Sequence, residues 1–330
     1  MPEGKPSVLI TGANGFIGSA LCRRFLSSGY DVVAGVRESA DLTFLKDLPV
    51  RYRYGDVTDA AGLPEMVGSV DYVVHNAGIV KARNPAAFFD VNARGTARLF
   101  DAIAAHNAEV KKVVYMSSQA VGGPSSAGRP VAESDPPNPV TAYGRSKAEG
   151  EKAALSYRDR LHVVSIRPPA VYGPGDTEMF ALFKAVYWHL KPYIGDLDRR
   201  IQLVHVYDLS RGVVQAVSSR TQSGAVYHIA ENRSYTLREL TAVLERASGR
   251  RALPLRLPSG VFRLAAAVSE FVFKLVGATP MVTRDKTREL LASWQVSTER
   301  ARVDLDFESA IPLEQGAGET YGWYLKHGWL

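Results

Sequence analysis

The stretch that decides the fold is Ser7–Ser19, SVLITGANGFIGS. Val8, Leu9, Ile10 and Thr11 make a short buried strand, Gly12, Gly15 and Gly18 punctuate a tight turn, and Ser19-Ala20-Leu21-Cys22 opens a helical pattern. A strand that turns into a helix through glycines is a phosphate cradle. Glycine permits positive φ and close backbone approach, and the helix start offers unpaired N–H groups and a partial positive charge.

Working outward, short apolar strands alternate with helical segments. Strands read at Asp31–Val36, Arg51–Tyr54, Asp71–His75, Lys112–Met116 and Leu161–Ile166, with a short helical piece over Asp41–Leu48 and helices over Ala86–Asn107 and Thr141–Arg158. This alternation predicts parallel βαβ units with right-handed crossovers: an α/β, Rossmann-type doubly wound parallel sheet. Ligands collect at the carboxyl ends of such strands, and there the sequence places Gly12, Arg37, Asp56, Asn76, Ser118 and Pro168. Beyond Pro169 the alternation degrades. The expected division is a dinucleotide-binding domain over 1–170, with late elements from about 201–230, and a smaller, interleaved, mostly helical substrate domain over 171–200 and 231–330.

The chain has 330 residues, enough for a large core. Its formal charge of +6 comes without a dense basic run interleaved with aromatics, so no nucleic-acid partner is expected. The single cysteine, Cys22, forms no intrachain disulfide and reads as packed. No signal pattern opens the chain, making a cytoplasmic location the expectation, and no metal is expected. Val261–Gly277 is strongly apolar but interrupted by Arg263, Glu270 and Lys274. It reads as a buried or lid-forming amphipathic helix, with interfacial membrane contact as the alternative.

Tyr143 and Lys147 lie four apart on a helix, hence on one face a turn apart. A phenol titrates near pH 10, and a neighbouring ammonium favours its ionised form. Such a pair occurs by chance on many helices. Combined with the strand-end Ser117-Ser118 and the glycine cradle, it becomes a constellation for proton transfer.

With these pieces assembled, the chain resembles the extended short-chain dehydrogenase/reductases, the NAD-dependent epimerase/dehydratase family. The carrying motifs are TGANGFIG (Thr11–Gly18), GDVTD around Asp56, HNAG (His75–Gly78), SSQAV (Ser117–Val121), YGRSK (Tyr143–Lys147), RPPAVYGPG (Arg167–Gly175) and LVHVYDL (Leu203–Leu209). The resemblance implies that Gly12, Gly15, Gly18 and the Phe16 and Ile17 amides hold a pyrophosphate, that Asp56 and Val57 lie at the adenine, and that Ala77 and Gly78 flank a ribose. It also implies that Tyr143 moves a proton at the substrate oxygen, that Lys147 lowers the Tyr143 pKa and bonds the nicotinamide ribose, and that Ser118, or Ser117, bonds the same substrate oxygen. Pro168 to Val171 would position the nicotinamide. Two copies would pair through the long helices Ala86–Asn107 and Thr141–Arg158.

NAD-binding members end the second strand with an acidic residue; here Val36 fills that slot and Arg37 follows, which favours the 2′-phosphate of NADP, while Glu38 keeps NAD open. Gln119 and Pro169 stand where nucleotide-sugar enzymes often carry Ser or Thr and Asn, and the motifs look closest to the 3β-hydroxysteroid dehydrogenase and dihydroflavonol reductase branches. The expected function is interconversion of a secondary alcohol and a ketone on a small, fairly apolar molecule. The alternatives are a nucleotide-sugar 4-epimerase or dehydratase, with Arg199 or Arg200 facing a diphosphate, and a cofactor-sensing regulator without activity.

Overall fold

The computed structural model describes residues 4–82, 84–126, 128–261 and 284–330. The Rossmann-type expectation holds. Strands β1 (Ser7–Thr11), β2 (Asp31–Val36), β3 (Arg51–Tyr54), β4 (Tyr72–His75), β5 (Lys112–Met116), β6 (Val163–Ile166) and, later, β10 (Ala225–Tyr227) form one seven-stranded sheet in the order β10-β6-β5-β4-β1-β2-β3. Every neighbouring pair is parallel.

Alternation along each strand explains why the sheet is covered twice. Val8, Ile10, Val32, Ala34 and Val114 face Leu21 and Phe25 of α1 (Phe16–Ser27) and Leu209 and Val213 of α7 (Val206–Ser218). Leu9, Val33, Val73 and Val113 face the other way, onto α2 (Leu63–Val67), α4 (Gly95–His106) and Ala154 of α5 (Ala142–Leu155).

The smaller lobe has its own core of Tyr172, Phe183, Tyr193, Leu203, Tyr235, Leu240 and Tyr324. It is less helical than expected. Strands β7 (Ala170–Tyr172), β9 (Arg200–His205) and β11 (Ser234–Thr236) form a three-stranded sheet, and β8 (Leu190–Ile194) pairs with β12 (Leu253–Leu257). Of the stretch 201–230, β10 and α7 join the large sheet, but β9 belongs to the lobe. Conversely, Ala301, Leu305 and Phe307 return from the lobe's stretch to the core under α7.

Two helices differ from their sequence reading. Asp41–Leu48 is a run of turns, because Asp41 Oδ1 accepts the Thr43 amide and hydroxyl at 2.9 and 2.6 Å and Pro49 stops propagation. The Ala86–Asn107 helix starts at Pro85 as α3 (Pro85–Phe88) and widens into a π-helical stretch over Phe89–Arg94 before α4. Such widening re-aims side chains and is common at functional sites. Here it carries Asn92, fully buried, beneath the sheet tips.

Candidate active site

At the tip of β1, Gly12 has φ +63°, and a Cβ there would stand 2.9 Å from Ala77 Cα, so two strand tips meet backbone to backbone. A Cβ on Gly18 would lie 2.1 Å from Gly12 O, which seats α1 directly against the turn. Gly15 is different. It is exposed, and a Cβ would meet only Gly12 O, at 3.5 Å. Packing does not demand a glycine there. Gly15 also precedes α1 without any side chain capping the helix start. An open approach to the uncapped Phe16 and Ile17 end of a helix is what a pyrophosphate requires. The residues present therefore fit a dinucleotide.

Below the cradle runs a buried chain of hydroxyl and imidazole groups that sequence reading did not single out. Thr11 Oγ1 lies 2.9 Å from His75 Nδ1, and His75 Nε2 lies 3.0 Å from Thr96 Oγ1, which donates to Asn92 O at 2.8 Å. Because the Thr96 proton is committed to Asn92, His75 must donate from Nε2 and accept at Nδ1 from Thr11. Thr11 Oγ1 is then free to accept the Asn76 and Ala77 amides at 3.1 and 3.0 Å, which fixes the β4 tip at the cradle's rim. Burial, aided by the Lys147 charge, lowers the His75 pKa to about 3, so the ring stays neutral. Asn92 bonds the Ile79 amide and carbonyl at 2.9 and 3.0 Å and donates to Ser146 Oγ at 3.0 Å, tying this layer to α5. The available signal was a polar residue closing the otherwise apolar strand β4, and another on a helix face turned to the core.

Thr141 caps α5, accepting the Gly144 amide at 3.0 Å, and the helix presents Tyr143 and Lys147 together. The half-buried Tyr143 phenol lies beside Ser118, and its ring packs edge-on to Phe88, centroids 6.0 Å apart. Ser118 stands at the β5 tip, its Oγ accepting the Ala120 amide at 3.2 Å. Ser117 instead is buried, its Oγ turned inward near the Glu151 carboxylate without a hydrogen-bond partner among the described residues. Of the two strand-end serines, Ser118 is thus the one beside the phenol. Lys147 is buried; its Nζ donates to Met116 O at 2.6 Å and sits 4.4 Å above the Tyr115 ring.

In the protein alone, the electrostatics run opposite to the expected tuning. Burial pushes the phenol of Tyr143 up to about 12, with Ser118 opposing and Glu289 and Glu178 adding to the rise. Burial also brings Lys147 down to about 7, opposed by Glu151. Glu151 itself is held below its ordinary range: burial would raise it, but Arg167 outweighs that with bonds to both carboxylate oxygens. Tyr143 is therefore protonated at neutral pH, poised to give a proton rather than take one.

The remaining expected residues take their places around the same rim. Arg37 is exposed at the β2 tip and, among the described residues, its guanidinium forms no ion pair with Glu38 or any other group. Next to it, Gly55 N donates to Val36 O at 3.0 Å, and Asp56 Oδ1 accepts the Thr58 amide and hydroxyl, both at 2.8 Å. Asp56 thereby shapes its own turn. Val57 is buried against Gly95, and Gly78 is exposed beyond Ala77. Pro168 is buried with its carbonyl accepting Gln119 N at 2.9 Å, and Val171 follows in β7. Cys22 is buried, its thiol pushed up to about 12, and is inert.

Two residues read as facing a diphosphate are otherwise engaged. Arg199 is buried and its Nη1 donates to Ile194 O and, at 2.9 Å, to Asp196 O. Arg200 reaches Ser234 O at 3.3 Å. Among the described residues no helix is long and apolar enough to cross a membrane. Apart from Val261, the apolar stretch 261–277 lies outside the described residues.

Comparison with known proteins agrees with this geometry. A ceramide reductase of Caulobacter vibrioides (strain NA1000 / CB15N) is 29% identical over 332 residues, covering 99% of this chain and 97% of that protein. A 3 beta-hydroxysteroid dehydrogenase/Delta 5-->4-isomerase of Mycobacterium tuberculosis (strain CDC 1551 / Oshkosh) is 27% identical over 341 residues, covering 97% of this chain and 90% of the other. The solved structure of MoeE5 in complex with UDP-glucuronic acid and NAD matches with a TM-score of 0.77 at 25% identity, covering 97% and 99% of the two chains. The sequence model of the NAD dependent epimerase/dehydratase family matches residues 8–230, spanning the glycine cradle, Ser118, Tyr143 and Lys147. With more than half its length matched and the fold intact, this chain belongs to the NAD dependent epimerase/dehydratase family and is an enzyme of that dinucleotide-dependent class.

Proposed function

We propose that the protein interconverts a secondary alcohol and a ketone on an apolar substrate, with NADP(H) preferred over NAD(H). The observation that carries the reading is Tyr143 on α5 beside Ser118 at the β5 tip, with Lys147 buried on the same helix and held by the Met116 carbonyl. When bound, the nicotinamide supplies or receives the hydride. Ser118 holds the substrate oxygen and Tyr143 exchanges a proton with it. The raised phenol pKa suits donation, so at neutral pH these residues favour reduction of the ketone, and oxidation gains as pH rises. Lys147, one turn along α5 from Tyr143, is held in place by the Met116 carbonyl. Arg37, exposed at the β2 tip and without an ion-pair partner among the described residues, suits a 2′-phosphate.

Two observations favour this over the nucleotide-sugar reading. Arg199 is spent on backbone carbonyls, leaving the lobe one fewer cation for a diphosphate. The names of two long-range relatives, a ceramide reductase and a 3 beta-hydroxysteroid dehydrogenase, are those of enzymes with lipid substrates. The test is a thermal-shift series with NADP+, NAD+, UDP-glucose and dTDP-glucose, followed by turnover of long-chain and sterol ketones with NADPH. A larger shift with NADP+ and ketone-dependent NADPH oxidation are expected. A shift from a nucleotide sugar with no ketone turnover would replace this reading by the epimerase one.

A further inference from the structure

Strand β8 pairs in parallel with β12, with Leu253 opposite Leu190, Leu255 opposite Pro192 and Leu257 opposite Ile194. Alternation places these six apolar residues on one face of the ribbon. The other face carries Tyr193, which is buried in the lobe core with its hydroxyl 3.1 Å from Thr241 Oγ1. The apolar face therefore looks away from the core. Exposure agrees: Leu253 is 73% exposed, Leu255 49% and Leu190 45%, and Trp188, just before β8, is 64% exposed. Ordinary surface leucines are scattered singly, whereas these are contiguous.

The rim of this face is basic. Arg251, just before β12, is exposed, and Arg250 stacks 3.9 Å over the Tyr187 ring beside Trp188. The nearby acid, Glu245, is already neutralised by Lys191 at 3.1 Å. Leucines with a flanking tryptophan and a pair of arginines match the interface of an anionic bilayer: acyl chains below, aromatic at the headgroup level, guanidinium on phosphate. Self-pairing fits less well, because a two-fold contact would bring each copy's arginines against the same arginines of the other.

We propose that the outward face of the β8–β12 ribbon docks on an anionic phospholipid surface. The docking stands on this face alone; that the docked enzyme draws its apolar substrate from the bilayer rests on the alcohol–ketone reading. The test is flotation of the full chain with phosphatidylcholine vesicles and with equimolar phosphatidylcholine–phosphatidylglycerol vesicles. Expected is partition onto the anionic vesicles, weakened by salt, and reduced about tenfold or more in Leu253→Glu/Leu255→Glu. Arg251→Glu, which leaves the apolar face intact, should weaken the anionic preference and guards against misfolding of the first pair. Circular dichroism melting checks both variants. No partition of the full chain, undiminished partition of both variants, or a dimer dissolved by the leucine substitutions would overturn the proposal. Failure to turn over any ketone would sink the alcohol–ketone reading and leave the flotation result standing.

Discussion

The seven-stranded sheet buries both faces, between the α1–α7 layer and the α2–α4–α5 layer, whereas in the β8–β12 ribbon, equally parallel, only Tyr193 is buried. Parallel strands are found almost only where both faces are covered. In the large sheet the candidate site lies along the row of carboxyl tips, and there polar groups are partnered in depth: Thr11 to His75 to Thr96 to Asn92, Lys147 to Met116, Glu151 to Arg167. Among the described residues the ribbon's apolar face has no such partners and offers Leu190, Leu253 and Leu255 to the surroundings. One region is organised to receive a polar, charged ligand in fixed orientation. The other is organised to meet an apolar phase.

The comparison breaks first at Tyr143. Tyr143→Phe removes the proton donor and keeps the ring against Phe88, so ketone reduction should fall by about two to four orders of magnitude with dinucleotide affinity nearly unchanged. Stopped-flow turnover together with fluorescence titration of NADPH checks this. Retained turnover would remove Tyr143 from the chemistry and leave the tips as a binding surface.

The glycines separate the scaffold from the cradle. Gly18→Ala drives a Cβ toward Gly12 O and Ala13, and should destabilise the ligand-free protein by about 1–3 kcal/mol or more. Gly15→Ala meets only ordinary contact and should leave the ligand-free melting temperature nearly unchanged while weakening the dinucleotide. Melting scans with and without NADP+ distinguish the two. Equal behaviour of both variants would mean that Gly15 is structural as well.

Much of the large sheet was legible because its strands repeat one physical rule. Strands such as β1, β2 and β5 are short apolar runs whose alternate residues meet different helices, and the residues after or at their ends stand out from the run: Gly12, Arg37, Ser118. The lobe was not legible for the opposite reason. Its core joins Tyr172, Tyr193, Tyr235 and Tyr324 from distant stretches, and strands β7 and β11 have three residues each, too short to show a period. The buried polar layer also escaped, since nothing in HNAG alone says that His75 is wedged between two threonines. The choice of Ser118 over Ser117 needed the Glu151–Arg167 pair, which only the fold assembles.

Arg37 offers a smaller effect. Arg37→Asp places a carboxylate at the β2 tip, and the ratio of NADPH to NADH efficiency should fall by about tenfold to a hundredfold. Ketone reduction with each cofactor measures it. An unchanged ratio would assign the 2′-position to another group.

The two regions should also titrate with opposite sign. His75, in the sheet, has a folded pKa of about 3 against an ordinary 6.5, so the stability of its neutral form is present above pH 6.5 and is lost as pH falls toward 3. Asp176, in the lobe, accepts the Glu178 and Met179 amides, both at 2.8 Å, yet burial raises its carboxyl from 3.8 to about 6. Its favoured state is the protonated one, fully present below pH 3.8 and lost as pH rises through 6. Asp176→Asn carries no charge and keeps an acceptor for one of the two amides, so the stability of the wild type relative to it should rise as pH falls from 6 to 4, because the wild type gains. His75→Asn loses the Thr11 and Thr96 bonds and should be less stable at pH 7, and that gap should close over pH 6.5 to 4 because the wild type loses. Each gap should change on the order of 1 kcal/mol per pH unit within its window. Urea unfolding of the three proteins at pH 7, 5.5 and 4 measures both slopes; the same sign for both would show that burial does not govern these two groups, and the contrast between the sheet tips and the lobe would then have to rest on their polar partners alone.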